Sequence, residues 1–340
     1  MAEPSPPPAG GEPGGEPIPP APPLSSEEAP PLPPPPPPPL PEAALSEIVT
    51  GDDERAALES LRADLASAAE SSSSADDGDE AQAAATATIR ACAAVSDGML
   101  LRMLRARKLD VAAARALLQD DMAWRLSEKP EAATQADIPN ALPGGCWRLL
   151  GLTRGAEEDT ADASSELSSL STQFPIIWIR VGLWNPGDYG VPEYLKLIEY
   201  FVERALTVGR RFVVLFDMEG WRLSFGFHLG KISTLVSTLQ NHYPERLQAA
   251  LLMRTPRIFS TAWRVIEPWL DPVTAAKVAY LPSAEEPGPE GTEHGDNAEL
   301  AALLAAGIPR ELIPAAYGGL VDGDSIPVPN LHGEPNITAT

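Results

Sequence analysis

Several residues that could do chemistry fall within one short stretch. The segment "GFHLGKIS" at 226–233 has the glycines and lysine of a phosphate-cradling loop. Only three residues separate Gly226 from Gly230, and Ile232 stands where a Ser or Thr must hold magnesium, so it is no nucleotide loop. Ser224, His228 and Asp217 can be assembled into a nucleophilic triad on paper, but no G-x-S-x-G turn exposes the serine. His228 reads instead as a helix-surface or cavity histidine. Asp217 and Glu219 offer an acid/base pair at a strand end. The reading preferred for them is a turn carboxylate that tethers the next loop. The chain has four histidines and two cysteines, Cys92 and Cys146, with no metal-ligand spacing among them. These observations predict no catalytic residue, no metal and no cofactor. What remains is a basic knot, Arg105, Arg107 and Lys108, suited to an anion.

The elements that must position these groups come in two kinds. "SDGMLLRMLRARKLDVAAARALLQDDMAWR" from residue 96 reads as two helices. Ser96 or Asp97 caps the first and Asp110 the second, with the basic knot between them. Strand signals follow. "FPIIWIRVG" (174–182), "RRFVVLFDMEG" (210–220) and "QAALLMRT" (248–255) are short runs rich in branched and aromatic residues. Helical stretches at 191–209 and 226–243 separate them. Strand–helix–strand alternation predicts an α/β fold with a largely parallel sheet.

"RIFSTAWRVIEPWLDPV" (257–273) is unusual for an acidic chain. On a helix, Phe259, Trp263, Ile266, Trp269 and Leu270 belong to an apolar face much wider than a core stripe requires. Pro268 and Pro272 then bend or stop it.

Charge and proline are unevenly spread over the 340 residues, which carry a formal charge of −23. Residues 1–98 hold 18 acidic and three basic residues, whereas residues 99–283, apart from the acidic run 155–170, hold 21 basic and 15 acidic. The folded part is therefore mildly basic, which suits an anionic ligand or membrane surface. Residues 1–45 are a proline-rich tail expected to be disordered. Its tract at 30–42 reads either as a ligand for a proline-recognising domain or as a solvated spacer. Residues 46–95 read as an acidic low-complexity linker with one helix. Too modest a charge, with aromatics in apolar runs, argues against nucleic acid. No apolar run reaches the roughly 18 residues of a spanning helix. Nor is there a signal peptide or lipidation motif, so the expected location is cytoplasmic, with transient membrane contact.

Three segments, taken in order, resemble the CRAL-TRIO lipid-binding family, especially its phosphatidylinositol-transfer branch. They are "LLRMLRARKLDVAAARALLQDDMAWR" (100–125), "NHYPERLQAALLMRTPRIFSTAWRVIEPWLDPVTAAKV" (241–278) and "IPAAYGG" (313–319). The resemblance implies a helical N-terminal lobe at 96–130 and a lipid-binding domain at 171–282. It also implies a C-terminal helix and closing motif at 298–320; the acidic stretch 283–297, a departure from the family, reads as a surface loop, and 321–340 as a flexible tail. Its fold has a mixed, largely parallel sheet flooring an apolar lipid pocket, under a mobile gate helix carrying Phe259, Trp263, Ile266, Trp269 and Leu270. By the same resemblance, Arg107, Lys108, Glu245, Thr274 and Lys277 read a phosphatidylinositol headgroup.

The implied activity is exchange of one phospholipid between membranes, or its presentation to lipid-modifying enzymes, without catalysis. Phe212 and Val214 stand at inward strand positions where phosphatidylcholine-carrying members have small hydroxyl residues. The second ligand is therefore expected to be a more apolar lipid. The usual turn before the first sheet strand is replaced by "SSLSTQFP". Alternative readings are a carrier of a sterol, tocopherol or retinoid, and a membrane-anchored scaffold that recruits partners through the proline tract.

Overall fold

The structure, a computed structural model, describes residues 49, 51–72, 80–154, 173–282, 297–323 and 326. The proline-rich tail with its tract at 30–42, the acidic loop at 283–296 and nearly all of the 321–340 tail lie outside the described residues.

Among the described residues, four helices form the N-terminal lobe: α1 (Asp52–Ser72), α2 (Glu80–Ala94), α3 (Asp97–Ala106) and α4 (Val111–Glu128). Ser96 caps α3 by accepting from the Met99 N–H, and Asp110 caps α4 by accepting from Ala113. The lobe has its own core. Leu61 and Leu65 of α1 and Cys92 of α2 join Leu100 and Leu104 of α3 and Leu118 of α4, all essentially without exposure. Reading residues 46–95 as a linker with one helix is therefore too sparse. Both α1 and α2 belong to the packed lobe, and a truncation beginning at residue 96 would uncover its core. The reason α2 escapes a pattern search is its alanine-rich composition, in which Cys92 and Thr86 are the buried residues rather than any large apolar side chain.

Among the described residues, five strands make one sheet in sequential order: β1 (Trp147–Leu152), β2 (Pro175–Arg180), β3 (Phe212–Asp217), β4 (Leu247–Met253) and β5 (Val278–Tyr280). β1 runs antiparallel to β2, and the other neighbours are parallel. Parallel strands need crossovers and are covered on both faces, which is why their sequences are continuous apolar runs rather than alternating ones. The crossovers include α5 (Val191–Val208), α6 (Leu229–His242) and α7 (Phe259–Ile266), continued by the 3-10 turn Glu267–Trp269 and the short α8 (Pro272–Ala275). Register separates the two faces. Ile177, Ile179, Phe212, Val214 and Leu252 face α5 and the α6–α7 side. Ile176, Trp178, Val213, Leu215 and Leu251 face the C-terminal segment, where Leu300 and Leu303 of α9 (Ala298–Ala305), Ile313 and Tyr317 cover them. β1 was not among the expected strands. It bulges at Gly151, whose φ of 138° no other residue type adopts readily.

Among the described residues no helix is long and apolar enough to cross a membrane. Leu61 is fully enclosed between α1 and its neighbours. Leu61→Ala should lower the unfolding free energy by about 2–5 kcal/mol in a urea titration. A change under about 0.5 kcal/mol, the level of ordinary surface substitutions, would mean that α1 is not part of the lobe.

Candidate functional site

A cavity of about 660 Å3 lies between the inner sheet face and the helices crossing it. Its floor is Phe212, Val214 and Phe216 of β3 with Ala250 and Leu252 of β4. Ile232, Leu235 and Leu239 of α6 form a wall, one helical turn apart as the 3.6-residue period demands. The side chains Phe259, Trp263, Ile266, Trp269 and Leu270 close it from α7 and the turn that follows. Phe259 and Ile266 are buried, and Trp263 and Trp269 are half-buried. Phe212 and Val214 do point inward, so this stretch of floor offers a ligand no hydroxyl.

The five residues expected to read a headgroup all line this cavity and come from both lobes. Arg107 and Lys108 occupy the turn between α3 and α4, where Lys108 and Leu109 take positive φ values of 53° and 67°. Two consecutive non-glycine residues in that region are uncommon, and here they present the basic pair to the opening. Glu245 also has a positive φ, 58°, in the turn between α6 and β4. Its Oε2 lies 3.5 Å from Lys277 Nζ and 3.9 Å from Arg211 Nη2. Thr274 sits on α8, whose first turn is capped by Asp271: one carboxylate oxygen accepts from the N–H groups of Val273 and Thr274, each at 2.9 Å. Desolvation works against ionising Asp271. Hydrogen bonds from the Thr274 side chain and the two N–H groups, with Lys277 nearby, outweigh it and hold its carboxyl below the usual range.

What fixes Glu245 relative to Arg107 is a polar junction that sequence reasoning did not find. Arg125 of α4 donates to Asp121 at 3.2 Å, to Glu203 of α5 at 2.9 Å and to the carbonyl of His242 at 3.2 Å. Tyr243 donates its hydroxyl to the same Glu203 oxygen at 2.8 Å. The His242 ring stacks on Trp124 with centroids 3.9 Å apart, and its Nδ1 lies 3.1 Å from Asp121. Only the Tyr-Pro-Glu-Arg motif itself could have hinted at this, since the partners are 40 or more residues away along the chain.

The candidate catalytic groups are committed elsewhere. Asp217 accepts from the Glu219 N–H and from the Tyr317 hydroxyl, and so tethers the turn and the closing segment. Glu219 pairs with Arg254, which also binds Glu299 at 2.9 Å. His228 is half-buried and its ring contact is with Trp184.

Residues 171–319 match the CRAL/TRIO domain. Among curated proteins, the "Phosphatidylinositol transfer protein CSR1" of Eremothecium gossypii is 28% identical over 239 residues, 66% of this chain and 47% of that protein. The "SEC14 cytosolic factor" of Candida glabrata is 28% identical over 248 residues, covering 68% of this chain and 72% of that one. A human "Alpha-tocopherol transfer protein-like" protein is also 28% identical, over 66% of this chain and 59% of its own. The chain thus spans about half the length of the first of these relatives. Among solved structures, the crystal structure of Sfh5 aligns with a TM-score of 0.48 and 14% identity, over 68% of this chain and 81% of that one.

The cap under Thr274 is open to a direct test. Asp271→Ala should cost about 1 kcal/mol of stability, and Asp271→Asn much less, because asparagine also caps. The folded carboxyl titrates below its unfolded value of about 3.9, so the stability from its charge is complete above that pH. It is lost as pH falls through the lower folded value, where wild type and Asp271→Asn should converge. Urea titrations at neutral and acid pH measure both effects, and equal losses for the Ala and Asn variants would contradict the cap.

Proposed function

We propose, from the match of residues 171–319 to the CRAL/TRIO domain, that the chain binds a single phospholipid, phosphatidylinositol, and exchanges it at membrane surfaces. One observation carries the reading: an apolar cavity whose rim gathers Arg107, Lys108, Glu245, Thr274 and Lys277 from separate elements. A phosphodiester carries one negative charge, and Arg107, Lys108 and Lys277 supply charge-assisted donors to it. Thr274 adds a neutral donor. Glu245 accepts from inositol hydroxyls and orients Lys277. The acyl chains take the aromatic and aliphatic floor, where each methylene removed from water contributes about 0.8 kcal/mol. Two relatives, a phosphatidylinositol transfer protein and a cytosolic factor, support reading the chain as a lipid carrier.

Exchange requires a moving roof, and α7 is the element proposed to move. Among the described residues, no side chain of Phe259–Ile266 makes a hydrogen bond or ion pair. It is held by ring packing of Trp221 on Phe259 and of Trp263 on Tyr280. Its other side exposes Ile258 and Val265, each nearly half accessible. Leu223 and Phe227, just beyond Trp221, add exposed apolar surface, Phe227 being 89% accessible. These residues are the proposed contact with the bilayer.

A second reading is favoured by Phe212 and Val214. An unbroken apolar floor suits a sterol, tocopherol or another single hydrophobic molecule, and one relative bears a tocopherol-transfer name. Mass spectrometry of lipid bound to the purified protein separates the two readings. The scaffold reading depends on the tract at 30–42, which lies outside the described residues.

Two tests address headgroup and surface separately. Arg107→Ala with Lys277→Ala should reduce transfer of phosphatidylinositol between vesicles by at least about tenfold, a loss of about 1.4 kcal/mol or more. Transfer at the wild-type rate would remove these residues from the headgroup site. Phe227→Asp should weaken vesicle association about tenfold or more, the effect of keeping a phenylalanine worth roughly 1.5–3 kcal/mol out of the bilayer. Cosedimentation with vesicles reads this out, and undiminished binding would place the contact on another face.

A further inference from the structure

The outward side of the roof carries charge as well as apolar surface. The N–H groups of Phe259, Ser260 and Thr261 donate to the carbonyls of Pro256, Arg257 and Ile258, which winds the chain ahead of α7 into its first turn. At 3.6 residues per turn, Arg257, Ile258, Thr261, Arg264 and Val265 share one face. All five are exposed, whereas Phe259 and Ile266 on the opposite face are buried. Arg222 and Leu223, also exposed, directly follow Trp221, whose ring packs edge-on against Phe259 with centroids 5.5 Å apart. Phe227 extends this surface from the 3-10 segment Leu223–His228.

The charges on this side can be followed group by group. Among the described residues, no side-chain hydrogen bond or ion pair engages Arg222, Arg257 or Arg264. The Arg222 guanidinium lies 5.9 Å from the centre of the Phe225 ring, a contact that leaves its charge in place. Glu219 is paired with Arg254, and Asp271 is committed to the N–H groups of α8. Glu267, exposed in the turn after α7, is the one carboxylate within 221–228 and 257–270, against three arginines. Its charge acts on Tyr280, whose hydroxyl pKa it helps burial to raise. Free positive charge thus alternates with exposed apolar side chains on one surface.

We infer that Arg222, Arg257 and Arg264 dock the roof on an anionic bilayer, so that membrane surface charge decides where lipid is exchanged. The inference rests on the reading of α7 as a roof that opens at a membrane. The planar fork of arginine matches the phosphate and carboxylate oxygens of anionic headgroups, and its weak hydration lets it remain among them. An acidic protein could also satisfy the arginines, but it would need an apolar surface shaped to Phe227, which is 89% exposed. A bilayer supplies both layers, charge outside and acyl chains beneath. The whole chain carries −23, so an anionic surface repels it in most orientations and turns its basic side inward. Within a Debye length of about 8 Å, the local arginines outweigh the distant acidic residues.

The test is cosedimentation of the full chain with vesicles of phosphatidylcholine alone or with phosphatidylserine added, at physiological ionic strength. Each arginine near a phosphatidylserine-rich surface is worth about fivefold in affinity. Wild type should therefore bind the anionic vesicles at least about tenfold more tightly. Arg222→Gln, Arg257→Gln and Arg264→Gln combined should remove most of that preference and leave binding to phosphatidylcholine unchanged. Arg222→Lys, Arg257→Lys and Arg264→Lys combined keep the point charges and should keep the preference, which a merely structural effect would not restore. Equal binding of wild type to both kinds of vesicle overturns the inference and leaves an acidic protein surface as the occupant. A Gln variant that retains the preference, or loses both bindings alike, overturns it as well, and so does a Lys variant without the preference. Wild type that prefers anionic vesicles but extracts no phosphatidylinositol from them brings down the headgroup reading and leaves this inference standing.

Discussion

Arg125 is the group on which the geometry of the cavity opening depends. Asp121 beside it is wholly buried, and Glu203 opposite it belongs to a different lobe. Burial acts against the charge on Arg125, but Asp121 and Glu203 more than compensate and hold the guanidinium protonated. Such a chain of charges contributes little net stability compared with an apolar replacement. Its value is positional, because moving either lobe leaves a shielded charge without a partner. Since Arg107 and Lys108 ride on the helical lobe and Glu245 lies two residues after Tyr243, the junction sets the distance between the two halves of the opening. The aromatic stack of Trp124 on His242 adds a flat contact that resists sliding.

Beneath the opening, the sheet solves a different problem. Parallel strands must be covered on both faces, and the α9 segment satisfies one face with Leu300, Leu303 and Tyr317. The other face is covered incompletely, because α6 and α7 stand off from β3 and β4 and leave the cavity. That arrangement keeps apolar side chains in place without filling the space between them, which close-packed interiors rarely tolerate. Arg254 braces the covered face: it binds Glu219, Glu299 and the carbonyl of Ala316, and its guanidinium lies over the Tyr317 ring. Polar contacts therefore concentrate on the closed side and on the rim, whereas the cavity floor has none to offer.

How much of this the sequence carried follows from the range of each interaction. β2, β3 and β4 were legible because burial on both faces leaves a continuous apolar signature within six or seven residues. Ser96 and Asp110 were legible as caps because a cap acts within three residues. The edge strand β1 was not, since "WRLLGL" is interrupted by its bulge glycine and follows no alternation. Pairings such as Arg105–Glu54 and Arg125–Glu203 span 51 and 78 residues, and at each position the isolated residue looks like solvated helix surface. The residues proposed to read the headgroup were accessible through resemblance alone. Their convergence on one opening is a property of the folded chain, not of any local pattern.

The roof helix shows why an apolar face can be wider than a core requires. A segment fixed by hydrogen bonds pays for every one it breaks on opening, as at the Arg254 brace. A segment fixed by ring packing exchanges one apolar neighbour for another when it meets acyl chains, and the net change is small. α7 is of the second kind, with Phe259 and Ile266 turned inward and Ile258 and Val265 outward. Its directional restraint lies at its far end, where Gln240 donates to the Trp269 carbonyl at 3.0 Å and accepts from the Asp271 N–H at 2.8 Å. Pro268 occupies the intervening turn, where a missing N–H costs no ladder bond. The helix is thereby pinned at Gln240 and held elsewhere by contacts that a bilayer can replace. The surplus apolar surface fits the proposed exchange of lipid, because a roof that serves both the cavity and a membrane needs an apolar side for each.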